Sequence, residues 1–418
     1  MSVEKARPAE STAQTVRPKR DWRSSRPISI HFRAAAVAAM LAIGLLCVSV
    51  KYSHRLAKRA IHARGWEYSI KKNQGIAWQK AAFAEPDLLP LYGSSELIKP
   101  AAGEAYLFFQ EHPSGFVVSP AGRGGCTSLN LLQKIASAGQ DAPHHKLAVC
   151  ISPSWFFGTE AHGRWYAGNF SAQQAYGLIF SRRISLGLKR DIARRMLDYP
   201  ETIGQSPLLS FAVHRLAGST GADLALFHAS EPVGWIRNAL TEAREDMDLA
   251  WDVLCHDRGR SSPTPGAAPL DWPNLLAAGA LQARANPHDK PEQSTPPFTD
   301  SALVNYAMFR TREWTDLELL LRVSRELELD SLFMAIPMDC RYLERMGVSR
   351  LSIDAYTQRL RLLSKRYGVE LVDFADHGND DPYFFSDHRD HPSVRGWLFM
   401  DEAMDHFFRA SPASRIQE

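Results

Sequence analysis

Apolar and polar positions along the chain follow two rhythms. Four short, mainly apolar runs, Leu88–Tyr92, Leu147–Ile151, Ser331–Ile336 and Glu370–Phe374, each run into polar turn chemistry: "GSSE", "SPSW", "PMDCR" and "ADHGNDD". Around them lie helical patterns at Ser128–Ala136, Ala172–Ser181, Arg183–Leu197, Asp316–Leu327, Ile353–Arg366 and Val394–Phe408. Short apolar runs bounded by turn residues read as buried strands, and their alternation with helices predicts an α/β fold. Strands without a polar side belong to a parallel sheet covered on both faces. In such a sheet ligands sit at the carboxyl ends of the strands, where all four polar turns fall.

Two regions break the alternation. Residues 160–255 are mostly helical and too long for one crossover, which predicts a helical insertion. Residues 256–300 hold eight of the 25 prolines and read as a loop excursion. At the other end, Ala34–Val50 is an uncharged run of 17 residues, extended by Phe32 and Tyr52 at its flanks. At about 1.5 Å per residue against a hydrocarbon core of roughly 30 Å, it is a short membrane span. "VSVKYS" is a poor cleavage site and the polar stretch before the run is long for a signal peptide, so the span reads as an uncleaved anchor. Residues 1–33 carry eight Lys/Arg against three acids, while residues 51–72 carry seven Lys/Arg, a weak preference for a cytoplasmic N-terminus. The expected organisation is a basic cytoplasmic tail (1–33), an anchor (34–52), a basic stalk helix (53–84) and an extracytoplasmic domain (85–418).

With 418 residues and 45% hydrophobic content the chain can bury a large core, and a net charge of +3 gives no argument for a nucleic-acid partner. Outside the anchor's Cys47, the four cysteines Cys126, Cys150, Cys255 and Cys340 have no metal-ligand spacing and read as buried free thiols, with a disulfide among them left open.

For chemistry, the first strand ends in Gly93-Ser94-Ser95-Glu96, either a bland turn or a serine nucleophile, Ser94 or Ser95. A serine needs a base, a group to orient the base, and donors for the oxyanion. The best histidine lies in "FFSDHRDHPSVRGW" (384–397), where His391-Pro392 precedes the last helix and Asp387 and Asp390 stand near enough to orient it. The same cluster can also be read as a metal cluster, with Asp387, His388, Asp390 and His391 as ligands, but it lacks helical i, i+4 placement and further ligands.

These pieces together resemble the DltD family, membrane-anchored proteins of D-alanylation with an SGNH-hydrolase-like domain. "GSSEL", the His-Pro pair and the Gly-Trp pair at the start of the final helix carry the resemblance. "ISPSWF" (151–156), "AIPMDCRYLERMG" (335–347) and "QGIAWQKAAFAEPDLLPLYGSSEL" (74–97) extend it over most of residues 74–408 in order. The resemblance implies a flavodoxin-like, SGNH-type sheet with Ser95 as nucleophile, Ser94 as its neighbour and His391 as general base. The family places an acid three residues before this histidine; here that position is His388, so Asp387, with Asp390 as second choice, is expected in the role. Backbone donors for the oxyanion are expected from Ser95 itself and from "GRGG", Gly124 or Gly125, although the same glycines also suit a tight turn. Ser94, Glu96 and Trp155 are the candidate pocket residues. Within that set Glu96 leans to capping its own turn and Trp155, like Phe156, to packing. Asp339 and Arg341 read as loop-stabilising. The implied activity is serine-dependent transfer of D-alanyl groups to an envelope polymer such as teichoic acid, without metal or organic cofactor. The implied partners are a membrane-bound O-acyltransferase and an acyl carrier system. A hydrolytic esterase or thioesterase, and a non-catalytic subunit that presents the acceptor, are the alternatives.

Overall fold

The computed structural model describes residues 30–64, 75–98, 103–157, 162–256, 269–285, 310–345, 347–380, 383–386 and 391–410. The chain divides into two compact units, residues 1–49 and 50–418. Helix α1 (Ile30–Arg64) begins in the first. Its stretch His31–Ser53, 23 residues with a mean hydropathy of 2.1, is long and apolar enough to cross a membrane. Most of the expected tail, and residues 65–74 of the expected stalk, lie outside the described residues.

In the second unit α2 (Ala77–Phe83) leads into β1 (Leu88–Gly93), followed by a helical turn at Ser95–Leu97. Then come α3 (Ala105–Glu111), β2 (Val117–Gly122), α4 (Ser128–Ala138) and β3 (Lys146–Ile151). The longer helices that follow are α5 (His162–Asn169), α6 (Ala172–Ile179), α7 (Leu186–Met196), α8 (Pro207–Ala217) and the 36-residue α9 (Gly221–His256), with short helical turns at Ser154–Phe157 and Pro200–Gly204. The chain closes with α10 (Trp272–Ala285), α11 (Glu313–Glu326), β4 (Asp330–Ala335), α12 (Arg350–Tyr367), β5 (Glu370–Asp373) and α13 (Val394–Arg409). Serine side chains cap several of these helices: Ser171 accepts from the Gln174 N–H, Ser185 from Leu188 and Ser349 from Ser352. Each such cap stabilises its helix by about 1 kcal/mol.

All five strands are parallel, in the order β2-β1-β3-β4-β5, the flavodoxin-like doubly wound arrangement. Burial on both faces explains why the strands are apolar without alternation. Leu147, Val149 and Ile151 of β3 enter one core with α4, α6, α7, α8 and α11, while Ala148 and Cys150 enter the other with α3, α10 and α13. Strand β2 was not among the four expected from the apolar runs. Its sequence, "VVSPAG", carries Pro120, and a proline is tolerated because β2 is an edge strand.

The excursion expected over residues 256–300 also needs correction, because Trp272–Ala285 is helical. Pro273 falls at the second residue of α10, where a missing N–H costs nothing, and Trp272 is buried, its indole N–H donating to Asp405 at 3.0 Å.

Candidate functional site

The first strand ends where its side chains can no longer be large. A Cβ on Gly122 would lie 2.5 Å from the Gly93 carbonyl oxygen, and one on Gly93 would lie 2.1 Å from Glu96 Oε1. Paired glycines at the ends of β1 and β2 therefore let the turn after β1 close tightly against the turn after β2. Inside that turn Glu96 is buried and its Oε1 accepts the Ser94 N–H at 2.6 Å. Ser94 is buried as well, its hydroxyl 3.4 Å from the Arg123 carbonyl. Ser95 opens the helical turn and is the half-exposed serine of the two.

His391 arrives from the far end of the chain. Its Nε2 lies 2.9 Å from Ser95 Oγ, across a sequence separation of 296 residues. The loop that carries it is pinned on both sides. The His391 carbonyl accepts the Ser386 N–H at 2.9 Å, and Pro392 bridges Phe385 in an antiparallel contact. Ser393 then caps α13, accepting the N–H groups of Arg395 and Gly396, while its own N–H donates to the Phe384 carbonyl. A Cβ at Gly396 would meet that carbonyl oxygen at 2.4 Å, so only glycine allows the approach. Asp387 and Asp390, the expected orienting acids, lie outside the described residues, as does His388. Among the described residues no group of three or more His, Cys, Asp or Glu is placed to hold a metal ion.

Of the two glycines after β2, Gly124 is the one beside the serine: a Cβ there would stand 3.9 Å from Ser95 Cβ. Gly125 has φ +79 and turns toward Trp165, whose ring would be 2.8 Å from an added Cβ. Asn169, which sequence reasoning passed over, fixes this turn by donating from Nδ2 to the carbonyls of Gly124 (3.1 Å) and Trp165 (3.0 Å). Its partners are backbone atoms, so no side-chain motif marks it. Trp155 is 3% exposed and part of the core, and its carbonyl bonds His162 Nε2 at 2.7 Å, a packing position rather than an open pocket wall. Asp339 accepts the Arg341 N–H at 2.9 Å within its own loop.

Below the glycine turn sits a buried charge network that the sequence did not reveal. Glu313 Oε1 accepts the Ser128 N–H, the first of α4, at 2.8 Å. Burial, reinforced by the charge of Asp316, lifts the Glu313 carboxyl to about 8, so it is protonated near neutrality. Asp316 itself is held in a two-pronged pair by Arg195, at 2.7 and 2.8 Å. Burial raises the Asp316 carboxyl to about 6, and the guanidinium pulls it back down. Burial pushes the Cys126 thiol up to about 11 and that of Cys150 well above its ordinary value. All five cysteines are free, with Cys47 and Cys255 exposed and the other three buried.

A hydroxyl touching an imidazole nitrogen at the carboxyl end of a parallel strand, beside a glycine turn, is an arrangement suited to nucleophilic acyl transfer. Comparison with known proteins agrees with the resemblance drawn from the sequence. The family model described as "DltD protein" matches residues 65–251 and 299–409. Protein DltD of Bacillus subtilis (strain 168) is 23% identical over 346 residues, covering 80% of this chain and 86% of that protein. Protein DltD of Staphylococcus aureus (strain NCTC 8325 / PS 47) is 22% identical over 354 residues, 82% of this chain and 87% of its own length. Protein DltD of Lacticaseibacillus rhamnosus is 22% identical over 413 residues, 94% and 93% of the two chains.

Proposed function

The chain belongs to the DltD family, and from that premise we propose that it is a membrane-anchored acyl-transfer protein of D-alanylation. In this reading Ser95 is the nucleophile, His391 the base, and the D-alanyl group passes to a hydroxyl of an envelope polymer such as teichoic acid. The observation that carries it is the 2.9 Å approach of Ser95 Oγ and His391 Nε2. His391 takes the Ser95 proton as Oγ attacks the acyl carbonyl. The carbonyl oxygen then bears negative charge, for which the N–H groups of Ser95 and of the Gly124–Gly125 turn are the candidate donors. Collapse expels the donor's leaving group, which receives the proton from His391, and leaves a Ser95 ester. A polymer hydroxyl, deprotonated by the same imidazole, attacks that ester and regenerates the serine.

The apolar span at His31–Ser53 supports a single-pass anchor, and in this reading the catalytic unit lies outside the cytoplasm, the side that the basic residues 1–33 weakly favour. A membrane-bound O-acyltransferase and an acyl carrier system are the partners this reading requires upstream.

The test is covalent labelling of the detergent-solubilised chain with a fluorophosphonate probe. Ser95→Ala is expected to abolish labelling, and His391→Gln to slow it by about 10²- to 10⁴-fold, the usual contribution of a general base. Undiminished labelling of folded Ser95→Ala would overturn the assignment. Folded wild-type chain that never labels would favour the acceptor-presenting alternative.

A further inference from the structure

Helix α9 carries a feature that the acyl-transfer reading leaves unused. Leu226, Val233, Ile236, Leu240, Trp251 and Leu254 are each between 45% and 67% exposed. Their spacings of seven, three, four, eleven and three residues place them within about 80° of arc on one face of the helix, at 100° per residue. The opposite face faces inward: Phe227 is fully buried, and Gly234 lies so close to Phe180 that an added Cβ would meet its ring at 2.5 Å. The apolar stripe therefore faces out by construction.

The charges along α9 are arranged around that stripe. Asp223 pairs with Arg215, Glu231 with His228, Glu242 with Lys80 and Asp248 with Arg244. Glu245 accepts the N–H groups of Ile76 and Ala77 at the start of α2, and Asp246 is buried. Among the acids of the helix whose side chains are described, Asp248 is the exposed one, 3.9 Å from Arg244. Arg237 and Arg244 stand exposed beside the stripe, and Arg182 stacks on Trp235 at 3.9 Å.

The position of α9 says what covers it. Its residues Leu249 and Ala250 share a cluster with Leu88, the first residue of β1, and Val117, the first of β2. The helix consequently crosses the pole where the strands begin, opposite the pole that carries Ser95. Leu56 belongs to the same cluster, and Leu56 lies only three residues beyond Ser53, the last residue of the apolar span. Within this unit, then, a residue that follows the span closely in sequence packs against α9.

We propose that the outer face of α9 lies in the lipid–water interface, as a second membrane contact beside the anchor, on a surface containing anionic lipids. An apolar face with an exposed tryptophan and with Arg237 and Arg244 along one edge has the chemistry of an interfacial helix, whose apolar side enters about 5–10 Å below the headgroups. The six residues of β1, at about 3.3 Å each, put a strand length of roughly 20 Å between the pole that α9 covers and the turn of Ser95. The serine would then face away from the bilayer, toward an acceptor that extends outward. This inference rests on the anchoring proposed above and is independent of the acyl chemistry.

The test uses the full chain in vesicles of phosphatidylethanolamine and phosphatidylglycerol, with an environment-sensitive fluorophore on one cysteine at a time. Cys126, Cys150 and Cys340 are buried, so Cys255→Ser leaves Cys47, inside the span, as the labelled site. Adding Cys47→Ser with Ile236→Cys moves the label to the stripe, and Leu362→Cys places it on an exposed apolar residue of α12 as the control. The expected result is strong quenching by spin-labelled lipids at Cys47, several-fold stronger quenching at Ile236→Cys than at Leu362→Cys, and a blue-shifted emission at the stripe. Quenching at Cys47 with a stripe indistinguishable from Leu362→Cys overturns the inference while leaving the anchor intact. A blue shift without lipid quenching overturns it in favour of a second copy of the chain. An unquenched Cys47 overturns anchoring and inference together.

Discussion

Replacing Arg195 by methionine removes the cation from the network beneath the glycine turn and keeps most of the side-chain volume. Arg195 bonds both oxygens of Asp316 and also reaches Asp198 and Tyr199. Burial raises the folded-state Asp316 carboxyl from its ordinary 3.8 to about 6. A raised carboxyl costs stability as pH climbs above its unfolded value, because the unfolded chain ionises first. In the wild type that cost stops growing near pH 6, where the folded carboxyl ionises against Arg195. Without the guanidinium the folded carboxyl stays protonated to higher pH, and the cost keeps rising by about 1.4 kcal/mol per pH unit. At about pH 7.5, roughly one and a half units above 6, Arg195→Met should lose about 2 kcal/mol by this route, and at about pH 4.5 almost nothing. Lost bonds to Asp198 and Tyr199 add an offset that is much the same at both pH values, so the informative quantity is the difference between them. Urea unfolding of the detergent-solubilised chain, followed by tryptophan fluorescence, measures it. Equal losses at the two pH values would refute the charge-network account.

Two further substitutions separate site geometry from stability. Gly93→Ala puts a methyl 2.1 Å from Glu96 Oε1 and 2.9 Å from Leu97 Cδ1, which forces Glu96 off the Ser94 N–H. Fluorophosphonate labelling of Ser95 should slow at least about tenfold, while stability falls by about 1–3 kcal/mol as for other overpacked positions; unchanged labelling would show that the turn does not depend on this contact. Asp401 of α13 is fully buried, neither of its carboxylate oxygens has a hydrogen-bond partner among the described residues, and burial followed by the charge of Glu104 pushes its carboxyl well above the ordinary range. Since a raised carboxyl costs additional stability above its unfolded pKa, Asp401→Leu should stabilise the chain to urea by about 1–3 kcal/mol more near pH 7.5 than near pH 4; equal gains at the two pH values would mean packing, not charge.

How much of this was legible in the sequence depends on which atoms carry the information. Four of the five strands announced themselves because burial on both faces demands continuous apolar runs, whereas β2 hides behind Pro120, which only an edge position permits. A serine at the end of β1 and a histidine ahead of α13 were legible as a pair because residue types at strand ends and helix starts leave a signature, while the 2.9 Å approach of Ser95 to His391 comes from the fold. Asn169 and Glu313 were not, since each binds backbone groups, the Gly124 carbonyl and the Ser128 N–H, and any residue can supply those. The α9 stripe failed for a different reason. The helix has apolar residues on both faces, so periodicity predicts a helix but not which side turns inward; Phe180 and the start of β1 decide that from elsewhere in the chain.

The same distinction explains why the sequence could not choose between the two serines without a resemblance. Gly-Ser-Ser offers both hydroxyls equally, and a slip of one residue at the end of β1 would exchange their positions. What prevents the slip is the register Gly93↔Gly122, where no side chain larger than hydrogen fits, together with the carboxylate of Glu96 turned back onto the Ser94 N–H. Once Ser94 is buried by those two contacts, Ser95 is the next residue and begins the helical turn, so its hydroxyl projects toward the His391 loop. Glu96 therefore shapes the turn from behind: its carboxylate accepts the Ser94 N–H, and that contact leaves Ser95 as the serine that meets His391.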